Sequence, residues 1–354
     1  MPPMTSRERI LAAMRREEPD RVPVSPFGLG HLPYGSEAAE RLIALTDPFV
    51  DGPVTGGDPI LGTAVPTTHA QDGDATITTY HTPAGDLTMR RRSTSVTSAT
   101  VEFPLKTAED IEKILSIPYQ APEPNVAPFL QRRAEIGEGA MVLAGMGDAI
   151  CFPATFFSPE DFCLVWADAP DALEHMVAVA AERLNCWVEK ASAQGVDAWR
   201  IVGGEYASVQ LGPEAFRRLV VQYDSALVDV MRHYGAVSYF HNHGPTMRYL
   251  DQFADIGFDA ADPFEGPPWG DCDLRETLER VGDRFCVVGN LDDMEIIEKR
   301  RREDVLEIAR ERLEAAGPRS FCLGGTASGT YTEKGAENFI AMVDVAEDYA
   351  RARR

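Results

Sequence analysis

Apolar positions along this chain fall into two rhythms that take turns. Residues 5–18 place Ile10, Leu11 and Met14 on one helical stripe, with Thr5 or Ser6 positioned to cap it. RVPVSPFG (21–28) then reads as a short buried strand closed by Pro and Gly, and a second short strand is expected at 49–54. From about residue 129 the alternation is unbroken. Strands are predicted at 141–149, 198–208, 236–244, 258–266, 285–293 and 320–325. Helices separate them at 129–136, 170–193, 246–256, 273–281 and 302–316, and a last one covers 335–351. A further helix opens at Pro213 and carries the stripe Phe216, Leu219, Val220, Tyr223, Leu227 and Val230.

Alternation of this kind requires parallel strands joined by right-handed helical crossovers. The two early strands and the six later ones make eight, the closing number of a (β/α)8 TIM barrel. The expected fold is therefore one α/β domain over 1–354, with an N-terminal helical extension. Residues 75–104 differ in texture. Thr and Val alternate with polar residues around a Pro-Ala-Gly turn, which predicts a β-hairpin inserted near the barrel mouth. A capped helix (107–115) and a Pro-rich loop (117–128) follow it. A doubly wound open sheet is the weaker alternative, since no GxGxxG follows a first strand and no GxxxxGK[ST] occurs.

Composition narrows the function. Lys plus Arg is 34 against 56 Asp plus Glu, a formal charge of −22 that disfavours nucleic acid and anionic membrane surfaces. No apolar run reaches the roughly 18 residues of a membrane span, and MPPMTSRERI lacks a signal core, so a cytoplasmic protein is expected. Six scattered cysteines without a CxxC pair read as reduced thiols.

A barrel places chemistry at the C-terminal ends of its strands, and polar residues gather there. The sharpest group is His241-Asn242-His243. Side chains at i and i+2 of a strand share a face, so both imidazoles would project together and grip one metal ion, or else hydrogen-bond a substrate or neighbouring carboxylates without metal. Glu205, after Gly203-Gly204, is a candidate ligand or general base, or a loop carboxylate paired with an arginine. Cys322 could add a thiolate ligand from the last strand, or could simply fill the core. Asp148, Tyr206 and His31 are candidates for moving a proton or shaping the pocket. Asn290, Tyr34, Asn242 and Asp262 are candidates for contacting substrate, although Asp148 and Asn290 could equally cap a helix or close a turn.

Several segments together resemble one family. TSRERILAAMRREEPDRVPV resembles the opening of the uroporphyrinogen decarboxylase-like superfamily, and YHTPAGDL resembles the TP-x-G hairpin of its methyltransferase branch. The run from GPEAFRRLVVQYDSALVDVMRHYGAVSYFHNHG through FADIGFDAADPFEG to VGDRFCVVGNLDD is similar to its C-terminal half, and GAENFIAMVDVAEDYAR to its last helix. The resemblance covers nearly the whole chain and implies a barrel with its site at the C-terminal mouth. Within the family, one branch decarboxylates uroporphyrinogen without a cofactor. It carries an arginine-rich RQAGRY-like segment, where this chain has PFGLGHLPYGS. The other branch comprises zinc-dependent, corrinoid-linked methyltransferases, such as methylcobamide–coenzyme M methyltransferases. Its His-x-Cys pair corresponds to His241-Asn242-His243, and its second Cys falls beyond Cys322, near Thr326 or Ser328. The resemblance thus implies methyl transfer between a small-molecule donor or thiol acceptor and a corrinoid brought by a partner protein. Zn2+ held by His241 and His243, with Glu205 or Cys322, would activate the substrate heteroatom. A cofactor-independent lyase and a non-catalytic binding protein are the alternatives.

Overall fold

A computed structural model describes residues 3–95, 97–326 and 329–353. Eight parallel strands form the main sheet: β1 (Val24–Ser25), β2 (Phe49–Asp51), β7 (Met141–Gly147), β8 (Ala198–Val202), β9 (Val237–His241), β10 (Ala260–Asp262), β11 (Cys286–Asn290) and β12 (Phe321–Gly324). The sheet order is β1-β12-β11-β10-β9-β8-β7-β2. A bridge from Phe27 to Phe49 joins the two ends, with Gly28 N–H donating to Phe49 O at 2.8 Å, so the sheet closes into a (β/α)8 barrel.

Strand parity sorts the core into two. Phe49, Met141, Leu143, Ala198, Tyr239, Ala260, Cys286, Val288 and Cys322 pack together inside the barrel. Their neighbours Val50, Val142, Trp199, Ile201, Phe240, Ala261, Val287 and Phe321 pack outward against the helices. The N-terminal helix Ser6–Met14, opened by a Thr5–Glu8 capping box, adds Ile10, Ala13 and Met14 to the inner cluster and plugs the barrel floor. That helix is tied to the barrel by Asp47, which is fully buried and meets Arg9 at 2.5 Å and Arg21 at 2.6 Å.

The insertion is larger than the expected hairpin. It is a four-stranded antiparallel sheet of β3 (Thr67–Asp72), β4 (Ala75–Tyr80), β5 (Leu87–Ser93) and β6 (Ser98–Glu102). β3 is TTHAQD and almost wholly exposed, so no apolar alternation marks it in the sequence. Tyr80 and Leu87 anchor the sheet, Tyr80 lying 5.7 Å from Phe156 just beyond β7. Its arginines face acids of the same sheet, Arg90 with Asp72 at 2.7 Å and Arg92 with Asp74 at 3.0 Å. Among the described residues no helix is long and apolar enough to cross a membrane.

Candidate active site

Parity carries His241 to the inner face of β9, since Tyr239 lies inside and Phe240 outside. Asp262 of β10 is its register partner, and His241 Nδ1 lies 2.9 Å from Asp262 Oδ1. His243 sits past the end of β9, so the strand argument that paired it with His241 does not apply to it. The pairing arises nonetheless. The two rings lie 4.6 Å apart at 88°, and His243 Nδ1 is 3.0 Å from Glu265 Oε2. That hydrogen bond to Glu265 raises the proton affinity of His243. Neither Nε2 has a hydrogen-bond partner among the described residues.

The donor chemistry fits a divalent cation at these two nitrogens. An imidazole that gives its Nδ1–H to a carboxylate presents Nε2 as a lone pair, the usual bracing of a metal-ligating histidine. The sulfur expected to complete the set does not join them. Cys322 is fully buried in the inner cluster, its Sγ 3.8 Å from Cys286 Sγ. Among the described residues no three His, Cys, Asp or Glu are grouped to hold a metal. Ser328, where the resemblance implies the family's second cysteine, lies outside the described residues.

A second cluster flanks the mouth between β7 and β8. β8 ends at Val202, so Glu205 and Tyr206 lie in the short helix Glu205–Gln210 rather than on a strand. Asp148 is fully buried, and neither of its oxygens has a geometrically sound hydrogen bond. Its neighbours are acids. Burial, and then the carboxyl of Asp224, hold its proton well above the carboxylate range, with Glu205 adding to the effect. Burial pushes Asp224 up to about 7. It also raises the Cys151 thiol, with Asp148 beside it, and the Tyr206 phenol. Glu205 Oε2 is buried and unpartnered. Gly203 makes this packing feasible: a Cβ there would lie 2.1 Å from Asp148 Oδ1 and 2.5 Å from Cys151 Sγ, at a φ of +141°. Gly203→Ala is therefore expected to lower stability by about 1–3 kcal/mol, read as a urea-midpoint shift; an unchanged midpoint would refute the close packing.

Other expected site residues lie elsewhere. Asn242, just past the end of β9, is buried and turned toward the helix Glu205–Gln210, donating to Ser208 Oγ at 3.2 Å and His243 O at 2.8 Å. Tyr34 is half exposed, with Arg132 over its ring at 3.8 Å and its hydroxyl donating to Glu135 at 3.3 Å, so it packs on the helix Ala127–Ile136. His31 is exposed, and its backbone N–H donates to Tyr331 O at 2.8 Å. Asp262 orients His241. Asn290 does face the mouth. Its Nδ2 donates to Phe264 O at 3.1 Å and its Oδ1 is unpartnered. A cleft of about 140 Å³ runs from Glu265 past Asn290 and Trp269 to Arg300 and Arg312. Two residues escaped the sequence reading, Asp224 and Arg200. Each carried a signal. Asp224 occupies an apolar-stripe position, four residues after Val220 and four before Val228, and Arg200 shares the inward parity of Ala198.

The sequence profile described as uroporphyrinogen decarboxylase (URO-D) matches residues 82–349. Among curated protein sequences none matches the chain significantly. A methyltransferase from Methanosarcina mazei superposes with a TM-score of 0.66 at 17% identity, over 97% of this chain and 99% of its own. A B12-independent methionine synthase from a Shewanella species, in complex with selenomethionine, gives 0.45 at 11% identity, over 81% and 75%. At this identity the Methanosarcina protein shares the fold.

Proposed function

Because the chain belongs to the uroporphyrinogen decarboxylase family, we propose that it is a methyltransferase of the corrinoid-linked branch. It would move a methyl group between a small molecule and a corrinoid carried by a partner protein docked over the barrel mouth. The reading is carried by two imidazoles converging 4.6 Å apart at that mouth, each braced by its own carboxylate. Zinc held by His241 and His243 would supply Lewis acidity to the heteroatom that gives or receives the methyl group. Asp262 and Glu265 hold the rings in place and keep Nε2 as the donor atom. Glu205 Oε2 and Asn290 Oδ1, both unpartnered, can accept hydrogen bonds from the substrate and fix its approach. Alignment of this kind is the main contribution a protein makes to an in-line displacement.

Protein purified without added metal is expected to hold about one zinc per chain, and His241→Ala with His243→Ala to lose it. Elemental analysis reads this directly. Methyl transfer is then followed by absorbance of an added corrinoid protein. Retention of zinc by the double variant, or no transfer with any donor or acceptor, would overturn the proposal. One observation favours the lyase reading as second choice. Asp148 is held as a neutral acid beside Glu205 and could donate a proton. Turnover of a carboxylated substrate that survives His241→Ala would favour it.

A further inference from the structure

β8 contains a charge at an unexpected place. Ala198 packs inside the barrel, while Trp199 and Ile201 pack outside. Arg200 therefore points inward, in register with Gly145 of β7 and Tyr239 of β9. Its guanidinium lies 4.1 Å over the ring of Phe27. Its Nε is buried without a hydrogen-bond partner, and among the described residues no carboxylate lies within ion-pair distance. Three arginines with little side-chain exposure are matched: Arg7 to Asp197 at 2.6 Å, Arg9 to Asp20 and Asp47, and Arg21 to Asp47. Across Tyr239 the nearest acid is Asp262, whose Oδ1 meets His241 and whose Oδ2 is unpartnered, and it forms no ion pair with Arg200.

Arg200 is half-buried, and its cation–π contact, worth about 0.5–2 kcal/mol, leaves the guanidinium without a counter-charge. The missing partner has room to enter. Gly145, beside Arg200 on the inner face, is exposed, and a Cβ there would meet nothing within 4 Å. Gly145 is thus an open position beside Arg200. The Tyr239 hydroxyl is also buried there without a partner.

We infer that Arg200 anchors an anionic group of the substrate, a carboxylate, sulfonate or phosphate on a short chain. The inference rests on reading the barrel mouth as the substrate site, and it names the class of substrate that the site takes. His241 is one inward position beyond Tyr239, about 6–7 Å further along the strand. The charged end then lies deep against Phe27, and the reacting heteroatom reaches the imidazole pair through a chain of a few atoms. Planar bidentate contact with the guanidinium sets the depth of insertion.

The test uses butyrate, propane-1-sulfonate and propyl phosphate as probes, with butyramide as the neutral control, at constant ionic strength. Thermal melting and calorimetry are run on the wild type, Arg200→Met and Arg200→Lys. At least one anion is expected to raise the wild-type midpoint and to bind roughly tenfold or more tighter than butyramide. Arg200→Met is expected to abolish that difference while melting no lower than the ligand-free wild type, because it removes an unpaired charge. Arg200→Lys is expected to keep part of it. If no anion outperforms butyramide, or if Arg200→Met keeps the full preference, the inference is overturned. A lower ligand-free midpoint for Arg200→Met with no anion effect would assign Arg200 to packing instead. Because these readouts involve neither metal nor corrinoid, failed methyl transfer with intact anion binding would sink the proposed reaction and leave the anchor standing.

Discussion

Replacing Asp47 with alanine is expected to destabilise the protein by about 3–5 kcal/mol, enough to leave much of it unfolded at physiological temperature. Asp47 is fully buried and accepts from three directions: Arg9 at 2.5 Å, Arg21 at 2.6 Å and the Val24 backbone N–H at 2.9 Å. The arginine side chains are themselves only 9% and 11% exposed. Removing the carboxylate strands the Val24 amide, leaves Arg21 without its acid and with only the Val22 carbonyl to bond, and leaves Arg9 with Asp20 and the Met4 carbonyl. Loss of the partner, rather than loss of the pair, is what makes such a change costly. The consequence reaches the barrel floor, since Arg9 belongs to the helix whose Ile10, Ala13 and Met14 plug it. Asp47→Asn keeps an acceptor for Val24 and is expected to lose less. Denaturant midpoints with unchanged slopes measure both. A loss below about 1 kcal/mol for Asp47→Ala would show the network to be dispensable.

The barrel was legible because its signal is periodic and repeated. Crossover helices such as Pro170–Ala193 and Arg302–Ala316 lie where helical stripes place them, and β9 and β11 lie where short apolar runs do. The mouth was legible only where strand parity reaches. Parity turns His241 inward, level with Tyr239 and opposite to Phe240. Beyond the strand ends parity says nothing. His243 meets His241 through the bond to Glu265, and Tyr34 is drawn away by Arg132, both contacts between distant segments. Arg200 was overlooked because a lone polar residue in AWRIV reads as the solvent face of a strand. In a closed barrel that position faces the interior. β3 was missed for the converse reason, because an exposed strand carries no hydrophobic alternation.

Asp224 shows what a stripe position can conceal, and its replacement carries the second large effect. Asp224→Asn is expected to remove the Asp224 share of a pH-dependent loss of stability that the wild type suffers between about pH 4 and pH 8. Asp224 and Asp148 are both buried and face one another, so ionising both would place two negative charges together in a medium that hydrates neither. Burial holds the proton of Asp224 to about 7, against 3.8 in the unfolded chain, and raises that of Asp148 well above its ordinary range. The folded state therefore binds more protons than the unfolded state across this interval. Stability is greatest below the unfolded value and falls as pH rises through the folded one. At about 1.4 kcal/mol per unit, Asp224 alone accounts for a loss of roughly 4 kcal/mol by pH 8. An asparagine has nearly the same shape, cannot ionise, and can donate its amide to Asp148. Urea midpoints at pH 5, 6, 7 and 8 should fall less steeply for Asp224→Asn than for the wild type; parallel profiles would refute proton uptake by Asp224 on folding. The same variant separates the two chemistries. With a neutral amide beside it, Asp148 releases its proton more readily. A reaction that needs Asp148 as an acid would have its activity limb moved to lower pH. Methyl transfer resting on the His241–His243 pair would keep its profile while the stability profile flattens.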